Sequence, residues 1–140
     1  MVKRSRIAWD VMCVVAAGGA IGAWARMAIA NLMADTAGLW PVHTLLANLT
    51  GSFALALVAA LIPEVWPLRR YLSPFIGTGI LGGYTTFSAV MLEGLDLTKG
   101  GNAEVAIAYV AITLVGGIVA TMLGILIGQA LQPPHEKPAQ

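Results

Sequence analysis

The stretch Gly77-Thr78-Gly79-Ile80-Leu81-Gly82-Gly83-Tyr84-Thr85-Thr86-Phe87-Ser88 decides how this chain is built. It lies inside a run, residues 71–92, that carries no charge. Such a run has the roughly 20 residues needed to cross a hydrocarbon core about 30 Å thick. Yet Gly77, Gly79, Gly82 and Gly83 are each costly in a helix interior, and Thr is indifferent there. The expectation is a membrane-spanning helix broken at its centre. Irregular backbone survives at membrane depth only where it is buried in protein or lines a polar cavity, so the break is expected to serve function.

The same scarcity of charge extends outward. Residues 36–63 and 105–135 contain no Asp, Glu, Lys or Arg, and residues 11–30 contain only Arg26. Of 140 residues, 58% are hydrophobic and 11% charged, whereas a soluble domain carries about a quarter charged residues. The chain therefore reads as an all-α integral membrane protein with four transmembrane helices, multi-pass in the cell membrane. The spans fall at about 11–32, 42–62, 73–92 and 105–131, in one domain over residues 1–132, and the tail 133–140 reads as disordered. So little chain is left over that a soluble catalytic domain, and hence an enzyme, is not expected. A net charge of +1 provides no basic surface for nucleic acid. Lys3, Arg4 and Arg6 before an apolar run imitate a secretory signal. Asp10 interrupts that flank, however, and Arg26 with more apolar residues follows Ala23-Trp24-Ala25, so a retained first helix is expected. Cys13, the single cysteine, has no intrachain partner and reads as a packing residue.

Small residues mark helix contacts. Gly18, Gly19 and Gly22 leave one face of the first span open to close approach, and Gly116, Ala120, Gly124 and Gly128 form a stripe on the fourth. A four-span protomer is a small object in which to enclose a pathway. Sites in such proteins commonly form at symmetric interfaces, so a dimer is the default expectation.

The polar residues inside the spans are Asn48, Thr50 and Ser52, then Thr78, Tyr84, Thr85, Thr86 and Ser88, then Tyr109, Thr113 and Thr121. Arg26 is the only charge well inside a span. Proton- and cation-coupled transporters place a carboxylate at membrane depth, and none occurs in the middle of any span. What remains is a set of neutral donors. Tyr109, Thr113 and Gly117 share a helical face at i, i+4 and i+8, a row that can pass a small anion between hydroxyls. Phe87 adds the positive edge of an aromatic ring. Each residue also has a plainer reading: Arg26 snorkelling to an interface, Asn and Thr bonding between helices, Phe87 packing, and His43 at the membrane surface. Composition and spacing lead as far as a small-anion pathway or a structural membrane protein.

Three ordered motifs carry a resemblance that spans nearly the whole chain. They are Gly18-Gly19-Ala20-Ile21-Gly22-Ala23-Trp24-Ala25-Arg26, Thr44-Leu45-Leu46-Ala47-Asn48-Leu49-Thr50-Gly51-Ser52 and Gly82-Gly83-Tyr84-Thr85-Thr86-Phe87-Ser88. In these the chain resembles the Fluc (CrcB) fluoride channels of microorganisms. The resemblance implies a dimer of antiparallel protomers with two pores, exporting fluoride passively to relieve its toxicity. It implies Asn48 as a polar pore residue, Phe87 as an aromatic pore ligand with Ser88 beside it, and Tyr109 and Thr113 as a polar track. Arg26 would lie near the aqueous vestibule. It further implies a structural sodium ion on the dimer axis, held by the carbonyls of Gly82 and Thr85, in keeping with the suitability of unwound carbonyls for a hard cation. Fluoride is small and strongly hydrated, so a narrow dry pore must replace its water with donors at close range.

Two features depart from that family. It usually carries a second phenylalanine three residues after the first, where this chain has Val90. The charges are also lopsided. Lys3, Arg4, Arg6, Arg69, Arg70 and Lys137 fall on the side of the termini, against Lys99, with or without Arg26, on the other. That bias favours termini in the cytoplasm, whereas an antiparallel homodimer wants near balance. Both departures suit a fixed orientation and a related chain of opposite orientation, and a dual-topology homodimer stays open beside that heterodimer. Two other functions compete with the channel: a small four-helix exporter of cationic drugs, for which Glu93 is a poor substitute for an embedded glutamate, and a subunit with a structural role only.

Overall fold

The third span breaks at Thr85 and Thr86, whose backbones are extended (ψ 154° and 122°) between two helical pieces. The structure is a computed structural model that describes residues 8–33, 40–62 and 69–132. The tail expected after Gln132, and Lys3, Arg4, Arg6 and Lys137 of the charge count, lie outside the described residues. Helices α1 (Trp9–Leu32) and α2 (Val42–Leu61) make the first two spans. The third comprises α3 (Arg69–Ser73), a π-helical segment (Pro74–Leu81), α4 (Gly82–Tyr84) and, beyond the break, α5 (Phe87–Lys99). The last span is α6 (Ala103–Ala130). Among the described residues, four stretches are long and apolar enough to cross a membrane: Trp9–Leu32, Val42–Leu61, Arg70–Lys99 and Ala103–Ala130. The chain is a multi-pass, all-helical membrane protein.

The π-helical segment was not anticipated. Pro74 lacks the N–H of a regular turn, and Gly77 and Gly79 place no side chains in the way of a wider coil. The segment lies against α1, and α2 lies along α6. Both contacts depend on missing side chains. A Cβ on Gly22 would collide with the Ile80 carbonyl, and one on Gly18 would come within 2.5 Å of the Phe75 oxygen. On the other pair, a Cβ on Gly124 would come within 2.5 Å of the Phe53 carbonyl, and one on Gly128 would strike Ala60. Between helices with no hydrophobic drive to associate in lipid, such close approach supplies the attraction.

Helices α5 and α6 form an antiparallel hairpin. Its turn rests on Gly101, which adopts φ 81°, a conformation costly for residues with a Cβ. The N–H groups of Gly100, Gly101 and Asn102 return to the carbonyls of Asp96, Thr98 and Leu97 at 2.9–3.1 Å and close the end of α5. The helix runs past Leu92, where the charge pattern suggested that the span ends, and so carries Glu93 inside it.

Gly22→Val tests the α1 contact. It is expected to destabilise the fold by about 1–3 kcal/mol, the usual cost of overpacking, seen as a lower unfolding temperature and aggregation on gel filtration in detergent. A variant as stable as the parent would show that α1 and the π-helical segment can separate freely.

Candidate functional site

A break in a membrane helix leaves backbone groups without their regular partners. Asn48, from the middle of α2, supplies both for Thr86. Its Oδ1 accepts from the Thr86 N–H at 2.8 Å and its Nδ2 donates to the Thr86 carbonyl at 2.9 Å. Thr86 then starts the next helix, its Oγ1 accepting from the Ala89 N–H at 3.2 Å as an N-cap. Asn48 is thus first a splint for the break. One amide hydrogen remains for any other acceptor.

The break forms one wall of an open groove of about 630 Å³. Asn48, Gly82, Thr85, Phe87, Val90 and Thr113, all singled out in the sequence, line it. Ser52, Gly117 and Thr121 line it too. Phe87 is 65% exposed, with Leu114, Ile118 and Met122 of α6 exposed alongside it. Val90 is only 1% exposed and occupies the floor. Val90, three residues after Phe87, is therefore a packed residue within this chain. Ser88 is exposed beside the groove, its hydroxyl 3.2 Å from that of Thr86.

From the groove, the polar row on α6 leads inward. The Thr113 hydroxyl donates to the Tyr109 carbonyl at 2.8 Å, and Thr121 donates to Gly117 at 2.9 Å. Tyr109 is fully buried, meets Trp40 edge-on at 6.5 Å and donates its phenol to Glu93 Oε2 at 2.5 Å. The other Glu93 oxygen accepts from Thr44 at 2.6 Å and lies 3.3 Å from His43 Nε2. The row continues from hydroxyls to a carboxylate near the end of the bundle opposite the termini.

The sequence alone places Glu93 at the edge of the third span, as a poor substitute for an embedded glutamate, and His43 at the membrane surface without a partner. The missed signal is periodicity, since Val90, Glu93, Gly94 and Leu97 recur at helical spacing on the face that turns to α6. Arg26 sits apart from the groove. Its Nε is 3.5 Å from the Gly83 carbonyl, just before the break. Tyr84, by contrast, pairs its hydroxyl with Thr50 at 3.1 Å.

No group of three or more His, Cys, Asp or Glu is placed to hold a metal ion among the described residues. Backbone carbonyls near the break are the other kind of donor, and Gly82 and Thr85 are among the residues that line the groove. That donor set fits a hard cation such as sodium and suits softer metals poorly.

The fold and groove define a small four-span membrane protein with neutral hydroxyl and amide groups along one face. The chain belongs to the CrcB-like family, whose model (CrcB-like protein, Camphor Resistance) matches residues 13–125. It is 40% identical over 126 residues to the fluoride-specific ion channel FluC 3 of Streptomyces avermitilis, covering 90% of this chain and 62% of that protein. It thus spans less than two thirds of that relative's length. To FluC 2 of the same organism it is 41% identical over 115 residues (79% of this chain, 73% of the relative). To the fluoride-specific ion channel FluC of Paracoccus denitrificans it is 37% identical over 117 residues (84% and 93%).

Asn48→Ala would leave the N–H and C=O of Thr86 unpartnered. The expected loss is about 1–3 kcal/mol for each unsatisfied group, visible as a fall in the unfolding temperature in detergent. Unchanged stability would mean that Asn48 does not splint the break.

Proposed function

We propose that this chain forms a passive, fluoride-selective pathway in the cell membrane, working as a dimer of antiparallel protomers. The supporting observation is the set of neutral groups at the groove, Asn48 and Thr113 with the ring of Phe87, and the Tyr109 phenol one helical turn from Thr113 on α6. The names of the relatives agree with fluoride as the ion. A groove with amide and hydroxyl groups on its floor and Leu114, Ile118 and Met122 at its rim is ill suited to lipid, which offers no hydrogen bonds. A second protomer laid over the rim closes it and excludes water.

In the closed groove the ion sheds its hydration shell and takes donors in turn. The edge of Phe87 meets it through positive ring hydrogens. The spare Asn48 amide hydrogen and the hydroxyls of Ser88 and Thr113 replace its water, and the Tyr109 hydroxyl joins them when its proton turns away from Glu93. Neutral donors hold an anion at close range without trapping it, so conduction needs no ionised side chain in the narrow part. Arg26, bonded to the backbone before the break, raises the local potential near a vestibule. The carbonyls of Gly82 and Thr85 would hold a sodium ion between protomers, and the ion would contribute a positive potential and rigidity at the break.

The second chain is either a copy or a relative of opposite orientation. Val90 favours the relative, since a packed valine leaves a pore ligand to be supplied from elsewhere. The cationic-drug exporter is the poorer reading, because both oxygens of Glu93 already accept hydrogen bonds from Tyr109 and Thr44.

Fluoride-electrode recordings of efflux from proteoliposomes test the reading. Efflux is expected from this chain, alone or co-reconstituted with a related chain, and no efflux in either case would refute it. Phe87→Ala is expected to lower efflux about tenfold or more, the loss of roughly 1.4 kcal/mol of ion stabilisation, with the dimer intact. Unchanged efflux would return Phe87 to a packing role. Replacing sodium by a large organic cation is expected to weaken dimer assembly on gel filtration, and indifference would remove the sodium site.

A further inference from the structure

We propose that His43 makes fluoride flux respond to pH by neutralising Glu93 at one mouth of the pathway. This rests on the fluoride reading above. Glu93 is the acid bonded to the polar row, and it stands where an anion must enter or leave. A carboxylate there repels fluoride and claims the Tyr109 hydroxyl for itself. His43 is the second residue of α2, and its Nε2 lies 3.3 Å from Glu93 Oε1. The two side chains are 30% and 23% exposed, and His43 stands at the very start of its span.

Imidazole is the side chain whose charge ordinarily changes between about pH 5 and 8. Neutral His43 leaves the cluster with one negative charge. Once protonated, it donates a charge-assisted hydrogen bond to Oε1, and the net charge at the mouth falls to zero. The pull of Glu93 on Tyr109 weakens at the same time and frees the phenol to meet the ion. Both effects raise flux as pH falls.

The surroundings leave this pairing unopposed. The ionisable residues at this end are Glu93, Asp96 and Lys99 on α5, Glu104 and the Tyr109 phenol on α6, and His43 alone on α2. Arg26 on α1 is engaged by the Gly83 carbonyl. Asp35 lies outside the described residues. Among the described residues, His43 has an ion-pair contact with Glu93 only.

The experiment measures fluoride efflux at pH 7.5 and 5.5, set equal on both faces of the vesicles. Protein-free liposomes correct for leakage of hydrogen fluoride. Removing one negative charge within a Debye length of a passing anion is expected to raise efflux roughly two- to fivefold at the lower pH. In His43→Gln the ratio between the two pH values is expected to fall to about one. In His43→Lys, which keeps a cation at both pH values, it is also expected to be about one. A wild-type ratio of one, or a ratio that survives in both variants, overturns the proposal and leaves the channel reading intact. No efflux at any pH, with or without a related chain, overturns both. If His43→Gln fails to assemble, His43→Lys decides the matter by itself.

Discussion

The paired hydrogen bonds between the Asn48 amide and the backbone of Thr86 are the constraint from which the rest follows. In water an interrupted helix costs little, because solvent satisfies the freed groups. In hydrocarbon each unpaired N–H or C=O costs several kcal/mol. A chain that breaks a helix at membrane depth must therefore bring a complementary side chain to the break. Asn provides a donor and an acceptor on one planar group and matches one residue's N–H and C=O. Ser or Thr would offer a single oxygen, and Asp no donor while ionised.

With the break held, the position of the groove is determined. The capped start of α5 at Thr86 turns Phe87 outward and Val90 inward, three residues apart on the same helix. The tight turn at Gly101 folds α6 back along α5, so that Tyr109 meets Glu93 sixteen residues earlier in the chain. Gly124 and Gly128 hold α6 close against α2, which brings Asn48 and Thr113 to one surface. The small residues, the splint and the hairpin act together. Loss of close approach in any pair would separate the polar groups that form the site.

The spans and the break were legible because they follow from counting. Charge-free runs of sufficient length cross a membrane, and glycines beside threonines weaken a helix. The composition of the groove was legible in part, since Asn48, Phe87 and Thr113 are chemically conspicuous inside apolar runs. The π-helical coil at Pro74–Leu81 was not, because Pro74, Gly77 and Gly79 permit a wider coil without dictating one, and the same residues read equally well as a weakened α-helix. Glu93 was missed for a different reason. A charge at the edge of an apolar run looks like the end of a span, and only the pairing of α5 with α6 shows that it is bonded inward to Tyr109. His43 gains meaning only after Glu93 has been placed, since a single imidazole in a sequence has no evident partner.

If the row carries fluoride as proposed, its hydroxyls must be both stable at rest and free to serve an anion. Thr85, Thr113 and Thr121 each donate to the carbonyl four residues earlier, and no buried side-chain nitrogen or oxygen among the described residues lacks a partner. The polar groups held in this apolar setting are therefore hydrogen-bonded, which offsets the cost of removing them from water. A neutral hydrogen bond contributes about 0.5–1.5 kcal/mol and one to a charged group about 1.5–3. On the proposed pathway, a hydroxyl rotating from its helix carbonyl to an arriving fluoride would exchange a weak bond for a stronger one and would rotate back when the ion moved on. The carbonyl it leaves keeps its own helical N–H. Threonine suits this exchange better than asparagine or arginine, whose donors are fixed by larger planar groups. On the proposed pathway, the row on α6 stores its donors within the helix until an ion recruits them, so the ion's passage requires no rearrangement of the backbone.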